Sequence, residues 1–272
     1  MPYGTGIGRG VSLEVTVLNV KAGVRDAITF ELPDPNEALK GYVRNFLVLR
    51  LFIGALGIAL PFLLVLIGHG LDGDPWVRNS LSVYYYSGVG AIFVGVLTTI
   101  AFFLVAYRLL DLNLENALSF AAGVCVLAVV LFPTSRPDKA TELRPVQDWL
   151  TESTVGKIHI FAAALFIVFI GLISLMFGAR ERDRHRKNPD EGRLWWGHVV
   201  ATGVIWLGGL WILATRDFLF GGPRWAVFAG EFVAFLAFGI SWLAKGAERK
   251  LLFSWPTTND APAAANDPSQ AL

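Results

Sequence analysis

The chain has 272 residues, 54% of them hydrophobic and 17% charged, with a formal net charge of +1 and a mean hydropathy of +0.53. That is too apolar for an ordinary soluble domain, and it offers no bulk charge for holding nucleic acid or acidic partners. The single cysteine, Cys125, excludes an intramolecular disulfide.

Residues 1–45 read as a cytoplasmic N-terminal extension. Apolar and polar residues alternate over 11–20 and 27–32, on either side of Lys21-Ala22-Gly23, which predicts a short hairpin-like element. No early apolar core marks a signal peptide, so insertion is expected to fall to the first spanning helix. Apolar segments then follow at 46–68, 87–110, 117–132, 158–178, 195–215 and 225–244. Each approaches the ~20 helical residues that cross a bilayer core. The third is the shortest and stops at Pro133, and Pro61 should kink the first. Within the long loop 133–157, the stretch 142–150 has the makings of a short interfacial helix. The tail 247–272, rich in Ala, Pro, Asn and Asp, is expected to be disordered. The predicted fold class is all-α: a polytopic bundle of six transmembrane helices over 46–246.

Loop charge orients the bundle. Thirteen basic residues fall on one side, among them Lys40, Arg44, Arg50, Arg108, the run Arg180, Arg182, Arg184, Arg186 and Lys187 between helices four and five, and Lys245. Seven fall on the other: Arg78, Arg136, Lys139, Arg144, Lys157, Arg216 and Arg224. The positive-inside rule puts the thirteen, and both termini, on the cytoplasmic side. Trp195, Trp196, Trp225 and Trp242 sit near the predicted boundaries as an aromatic belt. The lipid bilayer is the first partner, and the basic run from Arg180 to Lys187 is a contact for anionic lipid. Small residues at four-residue spacing mark expected helix contacts: Ser87, Ala91, Gly95 and Thr99; Ala117, Ala121 and Cys125; Ala226, Gly230 and Ala234.

Polar residues inside an apolar span are costly and demand a reason. Glu231 lies about two turns into the last helix. His159 opens the fourth helix on the same outer side, and His69 ends the first there. Tyr84, Tyr85 and Tyr86, with Ser80 and Ser82, precede the second. One outward polar pocket could gather these groups. The face from His159 through Ala163, Ile167 and Gly171 is suited to pack inward. His198 lies near the inner side, and Asp111 and Glu115 flank an inner loop within reach of Arg108 or the basic run. No metalloprotease, nucleophile-elbow, phosphate-loop or Cys-x-x-Cys motif is present, and no cofactor is implied.

Four stretches carry a resemblance: SLSVYYYSGVGAIFVGVL (80–97), AGVCVLAVVLFPTSRP (122–137), KIHIFAAALFIVFIGLISL (157–175) and EFVAFLAFGISWLAKG (231–246). Their order is a Ser-rich loop into helix two, a helix ending in Phe-Pro-Thr, then a His opening the next helix. In this the chain resembles an uncharacterised bacterial six-helix membrane family, a domain of unknown function, and is more distantly similar to the damage-regulated autophagy modulator type. The resemblance implies a six-helix bundle integral to a bacterial cytoplasmic (inner) membrane, and no particular reaction. It directs attention to Tyr84, Tyr85, Tyr86, Pro133, His159 and Glu231. The membrane hydrolases related to alkaline ceramidases differ, because His159 and His198 are followed four residues on by Ala163 and Thr202 instead of a second His.

Three readings of function follow. The first is a non-enzymatic transporter, lipid-handling or accessory protein with an outward-facing polar pocket. The second is a metal-dependent lipid hydrolase with His159, His69 and Glu231 as ligands and Asp72 or Asp74 assisting. The third is a structural or assembly protein.

Overall fold

The computed structural model describes residues 35–72, 77–106, 113–137, 142–216 and 225–247. The expected hairpin, the tail beyond 247, Arg108, Asp111, Asp74 and the side chain of Asp72 lie outside the described residues. Two compact units divide after Val43; the second, from Arg44 onward, is the helical bundle.

Seven α-helices and one 3-10 turn are described, with no strand among them. They are α1 (Pro35–Asp72), the turn Ser82–Tyr86, α2 (Gly90–Ala106), α3 (Leu114–Leu131), α4 (Pro145–Leu150), α5 (Glu152–Lys187), α6 (Trp195–Arg216) and α7 (Ala226–Gly246). In hydrocarbon, every backbone polar group must be satisfied within its own segment, so apolar runs of this length fold as helices. Five of them, α1, α3, α5, α6 and α7, are long and apolar enough to cross a membrane, the build of a multi-pass membrane protein. The described part of α2 has 17 residues, about 25 Å at 1.5 Å per residue, a little short of the ~30 Å hydrocarbon core. The short helix expected within 142–150 is α4.

Two helices run beyond their apolar cores. α1 continues through Pro61 to Asp72. α5 reaches Lys187, so Arg180, Arg182, Arg184, Arg186 and Lys187 are its last turns and not a loop.

α2 packs on α3, α3 on α5, α5 on α6 and α6 on α7, with α5 also reaching α7. α1 closes on α7 where a Cβ on Gly54 would lie 2.7 Å from the Gly239 carbonyl oxygen. α6 and α7 meet in the same way, with a Cβ on Gly208 2.9 Å from the Gly230 carbonyl. Only glycine allows backbones this near, and in lipid such closeness is what van der Waals packing between helices requires.

The core collects Ile53, Leu60, Phe93, Ile100, Phe166, Phe177, Phe238 and Trp242. Phe52, Leu66, Phe102, Phe161, Leu207 and Ile240 point outward, an apolar girdle suited to lipid.

Three expectations need correction. The face Ala91–Gly95 of α2 looks outward, with nothing within 4 Å of a Cβ on Gly95; the contact side carries Phe93, Leu97, Ile100 and Leu104. On α3, Ala117 is exposed, whereas Cys125 of the same stripe is buried, with Ser119, Ala122, Gly123 and Val126 also facing inward. Trp242 is no belt residue: it is fully buried, tilted against Phe238 at 4.7 Å between ring centroids. Trp196 and Trp225 remain exposed.

Candidate functional site

The polar residues settle at two ends of the bundle. At one end, Arg50 of α1 donates to Glu115 Oε1 of α3 at 2.6 Å, with both side chains buried. Arg180 of α5 lies 2.5 Å from Glu115 Oε2 as an ion pair set off the hydrogen-bond direction. The Arg50 guanidinium also stands 4.8 Å from the centre of the Phe177 ring. Lys245 of α7 donates to Glu181 of α5 at 2.6 Å. Just inside these pairs, His198 Nδ1 is 2.9 Å from Ser241 Oγ, which is 2.7 Å from Ser174 Oγ. Arg50, Arg180 and Lys245, which the sequence presents as topology charges, are therefore interhelical ties. His198 is a member of a buried hydroxyl network joining α5, α6 and α7.

The other end holds a cavity of about 480 Å³ bounded by α2, α3, α5, α6 and α7. Its walls are almost entirely apolar and include Ala163, Ile167, Trp206, Leu210 and Phe235. The Trp206 indole N–H rests against Gly171 without an acceptor. Apart from the Trp206 N–H, the polar residues of the lining are Asn79, Ser80, Ser82, Thr134, His159 and Glu231, which Ser82–His159 and Leu81–Glu231 hydrogen bonds draw together.

Local chemistry explains how they come together. α3 ends at Phe132-Pro133. Proline has no N–H, so the Val129 carbonyl four residues earlier loses its helical donor. His159, about two turns inside α5 and only 3% exposed, fills that place. Its Nδ1 lies 3.2 Å from the Val129 oxygen and 2.9 Å from the Phe132 oxygen. Carbonyls only accept, so Nδ1 carries the proton, and a neutral ring keeps its lone pair at Nε2. Ser82 Oγ lies 3.0 Å from Nε2 and donates to it.

The loop that presents Ser82 is folded by its own serines. Ser80 Oγ accepts from Val83 N–H at 3.3 Å, and Ser87 Oγ donates to the Tyr84 carbonyl at 2.7 Å. α7 holds the loop from the far side, because Glu231 Oε2 accepts from Leu81 N–H at 2.5 Å, one residue before Ser82.

The remaining expected members stand apart. Tyr84 is buried in the core and its ring sits against Gly68 of α1. Tyr86 donates to the Thr134 carbonyl and accepts from Gln147 Nε2, each at 2.7 Å, tying the turn to α4. Burial raises the Tyr86 phenol above its ordinary value, so it stays neutral and able to donate. Tyr85 packs edge-on to Tyr86, and the Arg144 guanidinium stands over both rings. None of the three tyrosines lines the cavity, nor does His69.

The expected metal set does not assemble. Among the described residues, no group of three or more His, Cys, Asp or Glu side chains is placed to hold a metal ion, and both ring nitrogens of His159 are engaged by protein atoms.

Ser174, Ser241, Thr202 and Trp206 were not singled out in the sequence. The signal available was a hydroxyl residue inside an apolar span, which usually bonds across helices or back to its own turn. Thr202 does both, reaching the Gly171 and His198 carbonyls.

Searches against protein-family models, curated proteins and solved structures each find no match to this chain.

Proposed function

We propose that the chain is a lipid-handling membrane protein that binds one amphiphile, its hydrocarbon part in the cavity and its head at Ser80, Ser82, His159 and Glu231. The observation that carries this reading is the distribution of chemistry within a single cavity. Apolar wall extends over most of its lining and, apart from the Trp206 N–H, the hydrogen-bonding groups gather around the Asn79–Ser82 segment with Thr134, His159 and Glu231. Its volume of about 480 Å³ falls within the ~300–1,000 Å³ of small-molecule sites, whose few convergent polar groups fix orientation. In this reading all six apolar helices span the bilayer. The basic bias puts the Arg50 end and both termini in the cytoplasm, and the polar mouth faces the outer leaflet. Arg186 and Lys187, exposed at the foot of α5, supply the contact for anionic headgroups.

Native mass spectrometry of the protein released from mild detergent tests this. The wild-type chain is expected to carry a co-purifying amphiphile. Ala163→Phe, which fills the cavity, is expected to lose it, and Leu207→Phe on the outer surface is expected to keep it. A wild-type protein free of bound amphiphile, or an Ala163→Phe variant that retains it, would overturn the reading.

A further inference from the structure

We infer that Ser82 and His159 form a metal-independent nucleophile–base pair that transfers the acyl group of a long-chain carboxylic ester held in the cavity. The inference rests on the amphiphile-binding reading and adds a reaction to it. A serine hydroxyl is a weak nucleophile until a base accepts its proton in the transition state. The requirement is a histidine Nε2 within hydrogen-bond reach and a group on Nδ1 that holds the ring in the right tautomer. Here the Oγ to Nε2 distance is 3.0 Å. Nδ1 faces two backbone carbonyls, those of Val129 and Phe132. They occupy the place a carboxylate takes in a triad: they fix Nδ1–H, and their oxygens face the positive charge that develops on the ring. Both Ser82 and the buried His159 border the cavity, so nucleophile and base are presented to the ligand together.

The reaction balances with water as the second substrate. Ser82 Oγ bonds to the ester carbonyl carbon as its proton passes to Nε2. The ester C–O bond then breaks, and the departing alcohol takes that proton. Water attacks the Ser82 acyl ester, giving a proton to Nε2. The Oγ–acyl bond breaks, Ser82 recovers the proton, and a fatty acid leaves. Ser80 lines the same polar end, and its oxygen already accepts from Val83 N–H; its own hydrogen is left to donate to the carbonyl oxygen as charge gathers there. Glu231 is a positioning residue, holding the Leu81 N–H and with it the segment that carries Ser82.

The test is covalent labelling with a long-chain alkyl fluorophosphonate on the full-length protein in detergent, with the modified peptide identified by mass spectrometry. Labelling is expected at Ser82, lost in Ser82→Ala and reduced at least tenfold in His159→Gln. Its rate should fall in acid, because a protonated Nε2 cannot accept the Ser82 proton. A merely structural hydrogen bond would give no such profile. Amphiphile bound to the wild-type protein, read separately by native mass spectrometry, distinguishes the two readings. Bound amphiphile without Ser82 labelling in the wild type overturns the catalytic pair alone. Absence of both overturns the pair and the binding site together. Labelling that is insensitive to pH, in a wild type that needs no variant to fold, overturns the role of His159.

Discussion

Glu115 is the residue on which most charge depends. Its carboxylate is 1% exposed and faces Arg50, itself 5% exposed, together with the half-exposed Arg180. Removing one partner from a buried pair leaves the other charged and unsolvated, so Glu115→Ala should cost about 3–5 kcal/mol. The paired replacement Arg50→Met with Glu115→Leu should recover most of that, since Arg180 can turn toward water. Thermal unfolding in detergent of the single and double variants reads the difference. At the opposite end, Pro133→Ala returns an N–H to the Val129 carbonyl and so competes with His159 for it. The expected result is slower fluorophosphonate labelling of an intact Ser82. Tyr86→Phe removes the hydroxyl shared by Thr134 and Gln147 and should cost about 1 kcal/mol. The sign of its pH linkage follows from the raised phenol. The stabilisation is complete below the unfolded value near ~10 and is lost as pH rises through the higher folded value, so Tyr86→Phe should flatten the alkaline end of the stability curve.

Between elements, the glycine contacts divide cleanly into those that matter and those that do not. A Cβ on Gly54 or Gly239 would meet backbone of the opposite helix at 2.7 Å. Alanine at either position must push α1 from α7, with an expected loss of about 1–3 kcal/mol. Gly95→Ala meets nothing within 4 Å and should be neutral or slightly stabilising, because alanine favours the helix. Melting temperatures of the three variants, measured side by side, check this. The same contrast shows what could be read from spacing. The stripe Ala226, Gly230, Ala234 is buried, as four-residue spacing suggests. The stripe through Ala91 and Gly95 is not, because an apolar helix can as readily turn a bulky face inward, as α2 does with Phe93 and Leu97. Small-residue spacing shows which faces permit a close approach, and only the partner decides which one is used. The length of α5 was hidden for a related reason. Its last turns are charged and read as loop, yet Glu181 and Arg180 find partners on α7 and α3 that keep them helical.

At the scale of the whole bundle, the helical class and the apolar segments were legible because hydrophobic length alone dictates them. The site was legible in part. His159, Ser82 and Glu231 stood out as polar groups at one depth and do converge, whereas Tyr84 spends its side chain on the core. The cavity itself could not be read from sequence, being a space left between helices by Ala163, Gly209 and their neighbours, and no single segment encodes a gap. Nor could the role of Pro133, which depends on α5 bringing a histidine to the carbonyl it frees. The buried ties also bear on how the protein is made. Arg50 emerges from the ribosome 65 residues before Glu115, and Lys245 emerges 64 residues after Glu181. Until each late partner is synthesised, the early one must wait at the membrane surface or against the translocation machinery. Nascent chains arrested before residue 115 should therefore hold α1 loosely and remain open to extraction by alkali. Chains arrested after α3 is complete should resist it, making the order of synthesis a part of the folding pathway.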